Sequence, residues 1–199
     1  DFSKFNTKNV TNMSGMFRGF YYRVKQASFD FSNFDTSKVT DMSSMFYSFG
    51  ETLEILDMDL TSFDTSNVTD MSEMFRNFGG SAEKVVLDLN SFDTSNVVDM
   101  GSMFYQTADY ASSFDLNLGE WELDSVMDTS SMFSYFGYKL PLVFSINIVN
   151  PNTTNYSRMF TLSAGHVNSK ITVNYTSETS ELVDKMIATK SNNSNVVKG

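Results

Sequence analysis

The chain has 199 residues, with 24 Asp plus Glu against 14 Lys plus Arg and a formal charge of −10. That balance excludes the basic footprint with which proteins hold nucleic acid and disfavours docking by charge on an anionic membrane. Cysteine is absent, which removes disulfide staples, thiol catalysis, thiolate zinc sites and iron–sulfur clusters together.

Taken from its start, the chain repeats itself. Residues 5–17, 34–46, 63–75, 92–104 and 121–133 are copies of one phrase, each beginning 29 residues after the last. A weaker copy, 148–160, follows the fifth at a spacing of 27. The third copy reads Phe63-Asp64-Thr65-Ser66-Asn67-Val68-Thr69-Asp70-Met71-Ser72-Glu73-Met74-Phe75. A fixed period of this length marks a stacked array, in which each unit buries its apolar side only against its neighbours.

Before each copy stands a short alternation of apolar and polar residues, such as Leu56-Asp57-Met58-Asp59-Leu60 and Leu87-Asp88-Leu89-Asn90. Period two predicts strands with one buried face near 29–32, 56–60, 86–89, 114–118, 144–148 and 171–175, with a truncated one at 1–3. Occurring once per unit, they are expected to stack in parallel.

Within the phrase, Asp-Thr-Ser suits a turn closed by side chain to backbone bonds. Thr69 then reads as the cap of a short helix running to Phe75. The predicted core is set by one rule applied to each unit. It takes in Phe34, Val39, Met42, Met45 and Phe46, then Phe63, Val68, Met71, Met74 and Phe75, then Phe92, Val97, Met100, Met103 and Phe104.

The segments that follow vary freely, apart from recurrent aromatic-Gly pairs (Phe49-Gly50, Phe78-Gly79, Phe136-Gly137) that turn the chain back. Past Pro151 the texture changes. A helix is predicted over 180–188, with Leu182, Val183, Met186 and Ile187 inward and Thr179 or Ser180 as cap. A turn at 192–195 and a final strand at Val196-Val197 complete a C-terminal cap over 171–199, leaving 1–170 as the repeat domain.

The phrase Phe-Asp-Thr-Ser-Asn-Val-Thr-Asp-Met-Ser-x-Met-Phe, preceded by a Leu-Asp-Leu strand, resembles that of the BspA-like bacterial surface leucine-rich-repeat proteins. Proteins of this type, with repeats of roughly 26 residues, occur in Listeria, Lactobacillus and Mycoplasma. Trp121-Glu122-Leu123-Asp124 is the clearest departure from the pattern. The resemblance implies an α/β solenoid, leucine-rich-repeat-like and right-handed, with one parallel sheet and short helices opposite. It also implies a bacterial cell-surface or secreted adhesion protein, of which this chain would be a fragment, with no catalytic residues to carry over.

The repeat turns acidic residues into columns. Asp35, Asp64, Asp93 and Glu122 occupy the turn position, and Asp41, Asp70, Asp99 and Asp128 the helix start, so both have a local structural job. Asp1, Asp30, Asp59 and Asp88, continued by Asn117, point outward from the sheet with no evident local job. A solvated face, a site for a basic partner and a weak calcium ladder are the three readings of that column. Tyr21, Tyr22, Tyr47, Tyr105, Tyr110, Tyr135 and Tyr138 lie in the variable segments, and tyrosine is favoured in contact surfaces. Asp30, Asp59, Asp88, Asn117, Tyr105, Tyr110 and Tyr135 are therefore the candidate binding residues.

Enzyme signals are poor. His166 is the only histidine, and there is no phosphate loop, nucleophile elbow or two-histidine zinc motif. Asn-x-Ser/Thr triplets begin at Asn9, Asn12, Asn67, Asn152, Asn155, Asn174 and Asn192, but the repeat itself fixes the first three. The expected function is non-enzymatic recognition of an extracellular protein or glycan, without cofactor or nucleic acid. The rival is a structural spacer that projects another domain.

Overall fold

In the computed structural model, which describes residues 2, 4–20, 24–119, 121, 123–191 and 195–199, the chain winds into a parallel β-solenoid. Asp1, Tyr21, Tyr22, Glu122 and Asn192 lie outside the described residues, as do part of the strand expected at 1–3 and of the turn expected at 192–195.

The strands are β1 (Ile55–Asp57), β2 (Lys84–Asp88), β3 (Ser113–Asn117), β4 (Val143–Ile148) and β5 (Lys170–Tyr175). After β5 come α1 (Ser180–Ile187) and β6 (Val196–Lys198). All pairings are parallel. Partners stand 29 residues apart from β1 to β3, for example Leu56 with Val85 and Val85 with Phe114. The interval is 27 between β4 and β5 and 25 between β5 and β6.

Two features depart from the expected sheet. Residues 29–31 form no ladder, although Phe29 and Phe31 pack inward as the alternation requires. Phe29 lies against Phe49 (4.9 Å between centroids) and Phe31 against Phe46 (5.7 Å), so ring contacts hold this segment where backbone pairing does not.

The second departure divides the sheet in two, as β1-β2-β3 and β4-β5-β6. Pro141 stands 29 residues after Ser112, whose N–H donates to Ala82 of the coil before. Proline has no N–H to repeat that bond. One extra residue between Gly137 and Phe144 then puts β4 out of register with β3. The next N–H, that of Leu142, bonds forward to Ser169 Oγ (3.1 Å) instead.

The repeated phrase itself is not helical. Between 71 and 77 every second N–H donates to the following coil: Met71 to Asp99, Glu73 to Gly101, Phe75 to Met103 and Asn77 to Tyr105, at 2.9–3.0 Å. The intervening N–H groups close four-residue β-turns, Met74 to Met71, Arg76 to Glu73 and Phe78 to Phe75. None is left for the bonds to i−4 that an α-helix needs.

Such a chain of turns demands left-handed residues, and they align in columns. Gly15, Ser44, Glu73, Ser102, Ser131 and Arg158 have φ of 54–63°. Gly19, Ser48, Asn77, Gln106, Tyr135 and Leu162 form a second such column, and Gly50, Gly79, Ala108, Gly137 and Ala164 a third. Single-residue bridges link Asn12, Asp41, Asp70, Asp99, Asp128 and Asn155 in a ladder that continues past the break in the sheet.

Every predicted core residue is buried. Phe17, Phe46, Phe75, Phe104, Phe133 and Phe160 stack through six coils, with centroids 5.5–5.9 Å apart and planes within 12°. Phe34, Phe63 and Phe92 form a second stack. Trp121 takes the next place, and its Nε1–H donates to the Leu89 carbonyl (3.1 Å). At the C-terminal end α1 buries Val183 and Met186, with Leu182 and Ile187 partly covered. Thr179 precedes it without a side-chain cap bond, its hydroxyl donating instead to the Ile148 carbonyl.

Candidate recognition surface

The outward acidic column does have a local job. Asp30 Oδ1 accepts the N–H and hydroxyl of Ser32 (3.0 and 2.6 Å), and Asp59 Oδ1 accepts those of Thr61 (2.9 and 2.6 Å). Asp88 accepts the N–H of Asn90, and Asn117 that of Gly119. Asn117 Nδ2 also donates to Asp88 (3.0 Å). Each residue thus closes a turn at or after the end of its alternating segment. These bonds hold the carboxyls of Asp30 and Asp59 below the usual range, the side-chain bond contributing most.

The other two columns use the same device. Asp35, Asp64 and Asp93 accept from Ser37, Ser66 and Ser95. Asp41, Asp70, Asp99 and Asp128 accept from Ser43, Ser72, Gly101 and Ser130. Asn12 and Asn155 end this last column, donating Nδ2 to Asp41 (2.8 Å) and Asp128 (2.7 Å). Inside it, burial chiefly raises the Asp99 carboxyl, and the charges of Asp128 and Asp70 raise it further.

The tyrosines belong to a different part of the coil, in the run of turns and the variable segment before each strand. Arg18, Tyr47, Arg76 and Tyr105 share one column and alternate along it. The Arg18 guanidinium lies 4.1 Å from the Tyr47 ring centre, and that of Arg76 lies 5.5 Å from Tyr47 and 4.4 Å from Tyr105. Tyr135 packs on Tyr105 at 5.7 Å. Glu73 Oε1 accepts from Arg76 Nη1 (3.0 Å) and fixes the fork in place.

Beside this ladder is a depression lined by Ser48, Glu51, Asn77, Gly80, Ser81, Gln106, Asp109 and Tyr110. Tyr110 is 60 % exposed, with Lys139 Nζ 3.9 Å from its ring centre. The acidic column borders separate depressions, one holding Asp30 and Asp59, another Asp88 and Asn117. The predicted site is therefore divided: Tyr105 and Tyr135 pack together, Tyr110 lines a depression with Gln106, and Asp30, Asp59, Asp88 and Asn117 border other depressions.

The arginines, Lys139, Asn77 and Asp109 were not among the candidates from sequence. The 29-residue alternation of Arg and Tyr carried the signal for the ladder, whereas Asp109 stands outside any repeated position. His166 accepts the Asn168 N–H at Nδ1 and lines none of these depressions. No helix among the described residues is long and apolar enough to cross a membrane. The family model described as "Mycoplasma protein of unknown function, DUF285" matches residues 1–77, 19–138 and 78–198. Comparison with curated proteins and with solved structures returns no match.

Proposed function

Starting from a chain that belongs to the DUF285 family of Mycoplasma proteins, we propose a non-enzymatic recognition module, displayed on the bacterial surface, that binds an extracellular protein or glycan. The observation that carries this reading is the ladder Arg18–Tyr47–Arg76–Tyr105. Its side chains are neither core nor turn closers, and arginine and tyrosine dominate the energetics of contact surfaces. Stacked guanidinium and phenol groups are also ordered in advance, which lowers the entropic cost of binding. The kinship to BspA-like surface repeat proteins belongs to the same proposal, as do export and adhesion.

Asp30, Asp59 and Asp88 are not put forward as the site, because closing turns accounts for their presence. The spacer reading draws on one observation, the unbroken bridge ladder from Asn12 to Asn155, which suits a stiff rod. Surface plasmon resonance of the full chain against extracellular matrix proteins and immobilised glycans separates the two. The recognition reading expects a binder whose affinity falls at least about tenfold in Tyr47→Ala/Tyr105→Ala. Undiminished binding by that variant refutes the ladder as the site, and a panel without any binder favours the spacer.

A further inference from the structure

Where strands pair, the sheet seals the core; between β3 and β4 the core shows through. With few exceptions the Cα atoms of β3 stand more than 8 Å from those of β4, whereas paired strands lie about 4.8 Å apart. On the side of the turns the same two coils stay close, with Phe104 and Phe133 at 5.5 Å. The opening is therefore a wedge confined to the sheet, and Asn147 Nδ2 pins its far end by donating to the Trp121 carbonyl (3.1 Å). Among the inward residues of the strands, Val85, Leu87, Ile146, Ile171 and Val173 are buried, but Leu116 and Phe144, at the gap, are only partly covered. Val143 beside them is 74 % exposed. The groove holds about 310 Å³, the lower end of the range for ligand clefts.

The backbone is open there too. In a parallel sheet alternate residues bond to opposite neighbours. The Ser113 N–H donates to the Glu83 carbonyl and the Leu89 N–H to that of Asn117, so 113, 115 and 117 bond to β2. The N–H and C=O of Phe114 and Leu116 therefore face the gap. The Lys170 N–H donates to the Leu142 carbonyl, so the even residues of β4 bond to β5, and Val143 and Ser145 face the gap from the other side. Such edges are templates for a further strand. Water could satisfy them but would leave Leu116 and Phe144 uncovered, and a lone apolar group would do the reverse. An extended peptide meets both needs, because its side chains alternate between the two faces. The charged residues lining the groove are Asp88 and Asp115, both on the outward face, with exposed Lys84 3.7 Å from Asp115 as the only ion-pair partner among the described residues. Negative charge remains, and it favours a basic residue at the outward positions.

We infer that the gap between β3 and β4 is a strand-insertion site for an extended segment of a partner protein, in which apolar residues turned to the core alternate with lysine or arginine turned outward. The site is separate from the tyrosine ladder, which lies in the run of turns, so the two readings stand or fall independently.

The test uses the full chain and a fluorescent peptide, Lys-Val-Lys-Val-Lys-Val with blocked ends, followed by anisotropy and by amide hydrogen exchange. The peptide is expected to bind and to slow exchange at Phe114, Leu116, Val143 and Ser145. Affinity should fall about tenfold or more for Lys-Lys-Lys-Val-Val-Val, which keeps the charge and loses the alternation, and for the alternating peptide with N-methylated valines. Ser145→Pro removes an N–H that faces the gap and none that bonds β5, so it should keep the parent melting midpoint and weaken binding about tenfold. If that variant melts lower, Val143→Lys decides in its place, since it sets a like charge against the peptide at an exposed position and should weaken binding severalfold. The inference is overturned by no binding at about 1 mM peptide, by equal binding of the block or N-methylated peptide, by undiminished binding to a folded variant, or by protection outside β3 and β4. Protection of the same amides that grows with protein concentration in the absence of peptide makes a second copy the occupant and overturns it as well.

Discussion

Replacing glycine by alanine at two points in the run of turns distinguishes helix from turn by the sign of the effect. Gly19 has φ +68°, and a methyl added there meets nothing within 4 Å. Its column carries side chains in the coils that follow, at Ser48, Asn77, Gln106 and Tyr135, so space is not at issue. Gly19→Ala therefore suffers only the left-handed backbone term, about 1–2 kcal/mol of lost stability. Gly79 has φ +59°, but its added methyl would lie 2.6 Å from Val85 Cγ2 and 3.1 Å from Leu56 Cδ2. Ala108, in the same column at φ 50°, shows that the position itself admits a methyl, so the extra cost at Gly79 comes from Val85. Overpacking adds about 1–3 kcal/mol, for a total of roughly 2–5 kcal/mol in Gly79→Ala. Were this segment a helix, Gly19→Ala would instead stabilise by about 1 kcal/mol. Thermal melts followed by circular dichroism resolve these outcomes, at about 2–4 °C per kcal/mol for a chain of this size. A raised midpoint for Gly19→Ala, or equal losses for the two variants, would refute the turn reading.

In the core, Phe75→Ala should cost about 3–5 kcal/mol and Met71→Ala about 2–5 kcal/mol, because stacked neighbours on both sides prevent collapse. Tyr105→Ala, which loses a half-buried ring on Arg76, should cost only about 1–2 kcal/mol; urea midpoints that rank Tyr105 with Phe75 would contradict the assignment. For Asp30, Asp59 and Asp88, triple replacement by Asn should melt close to the parent, since an amide oxygen still accepts the turn N–H as Asn117 does. Triple replacement by Ala should melt lower, and equality of the two variants would remove the turn-closing role. Asp99 and Asp109, raised by burial, carry a cost of ionisation that is complete at neutral pH and relieved as pH falls through their folded values towards 3.8. Asp30, Asp35, Asp59 and Asp93 are lowered, so their contribution persists above 3.8 and disappears as pH falls through their folded values. The melting midpoint should therefore rise on mild acidification and drop below pH 3.8, and Asp99→Asn/Asp109→Asn should abolish the rise.

The burial of Val68, Met71, Met74 and Phe75 was legible because consecutive β-turns and an α-helix place nearly the same residues inward. Spacing alone does not tell them apart. What does is the backbone hydrogen bonding, and the hint lay in Gly15 and Gly19, at positions where the first coil shows openly the left-handed conformation that Ser44, Glu73, Ser48 and Asn77 adopt elsewhere. The strands at 84–88 and 113–117 were readable from alternation. The break before β4 follows from Pro141 and one added residue, which alternation does not register. The outward aspartates misled because a carboxylate that bonds two residues ahead leaves the same pattern as one that bonds nothing. The tyrosines could be assigned to the variable segments, but Asp109 became visible only through the absence of a hydrogen-bond partner at Oδ1, a property of packing and not of sequence.

The break in the sheet has a consequence for how the protein comes apart. In a stack where each coil touches only the next, unfolding spreads along a line, and its natural stopping point is the weakest contact between neighbours. Between β3 and β4 the coils keep the Phe104–Phe133 stack and the Asp99–Asp128 bridge but lack the ladder pairing that joins β2 to β3. Opening can therefore begin at that junction, as at the unpaired segment 29–31, at less than the global free energy. Under native conditions, amide hydrogen exchange along β3 and β4 at their facing edges should run ahead of that in β2 and β5, each of which pairs on both sides.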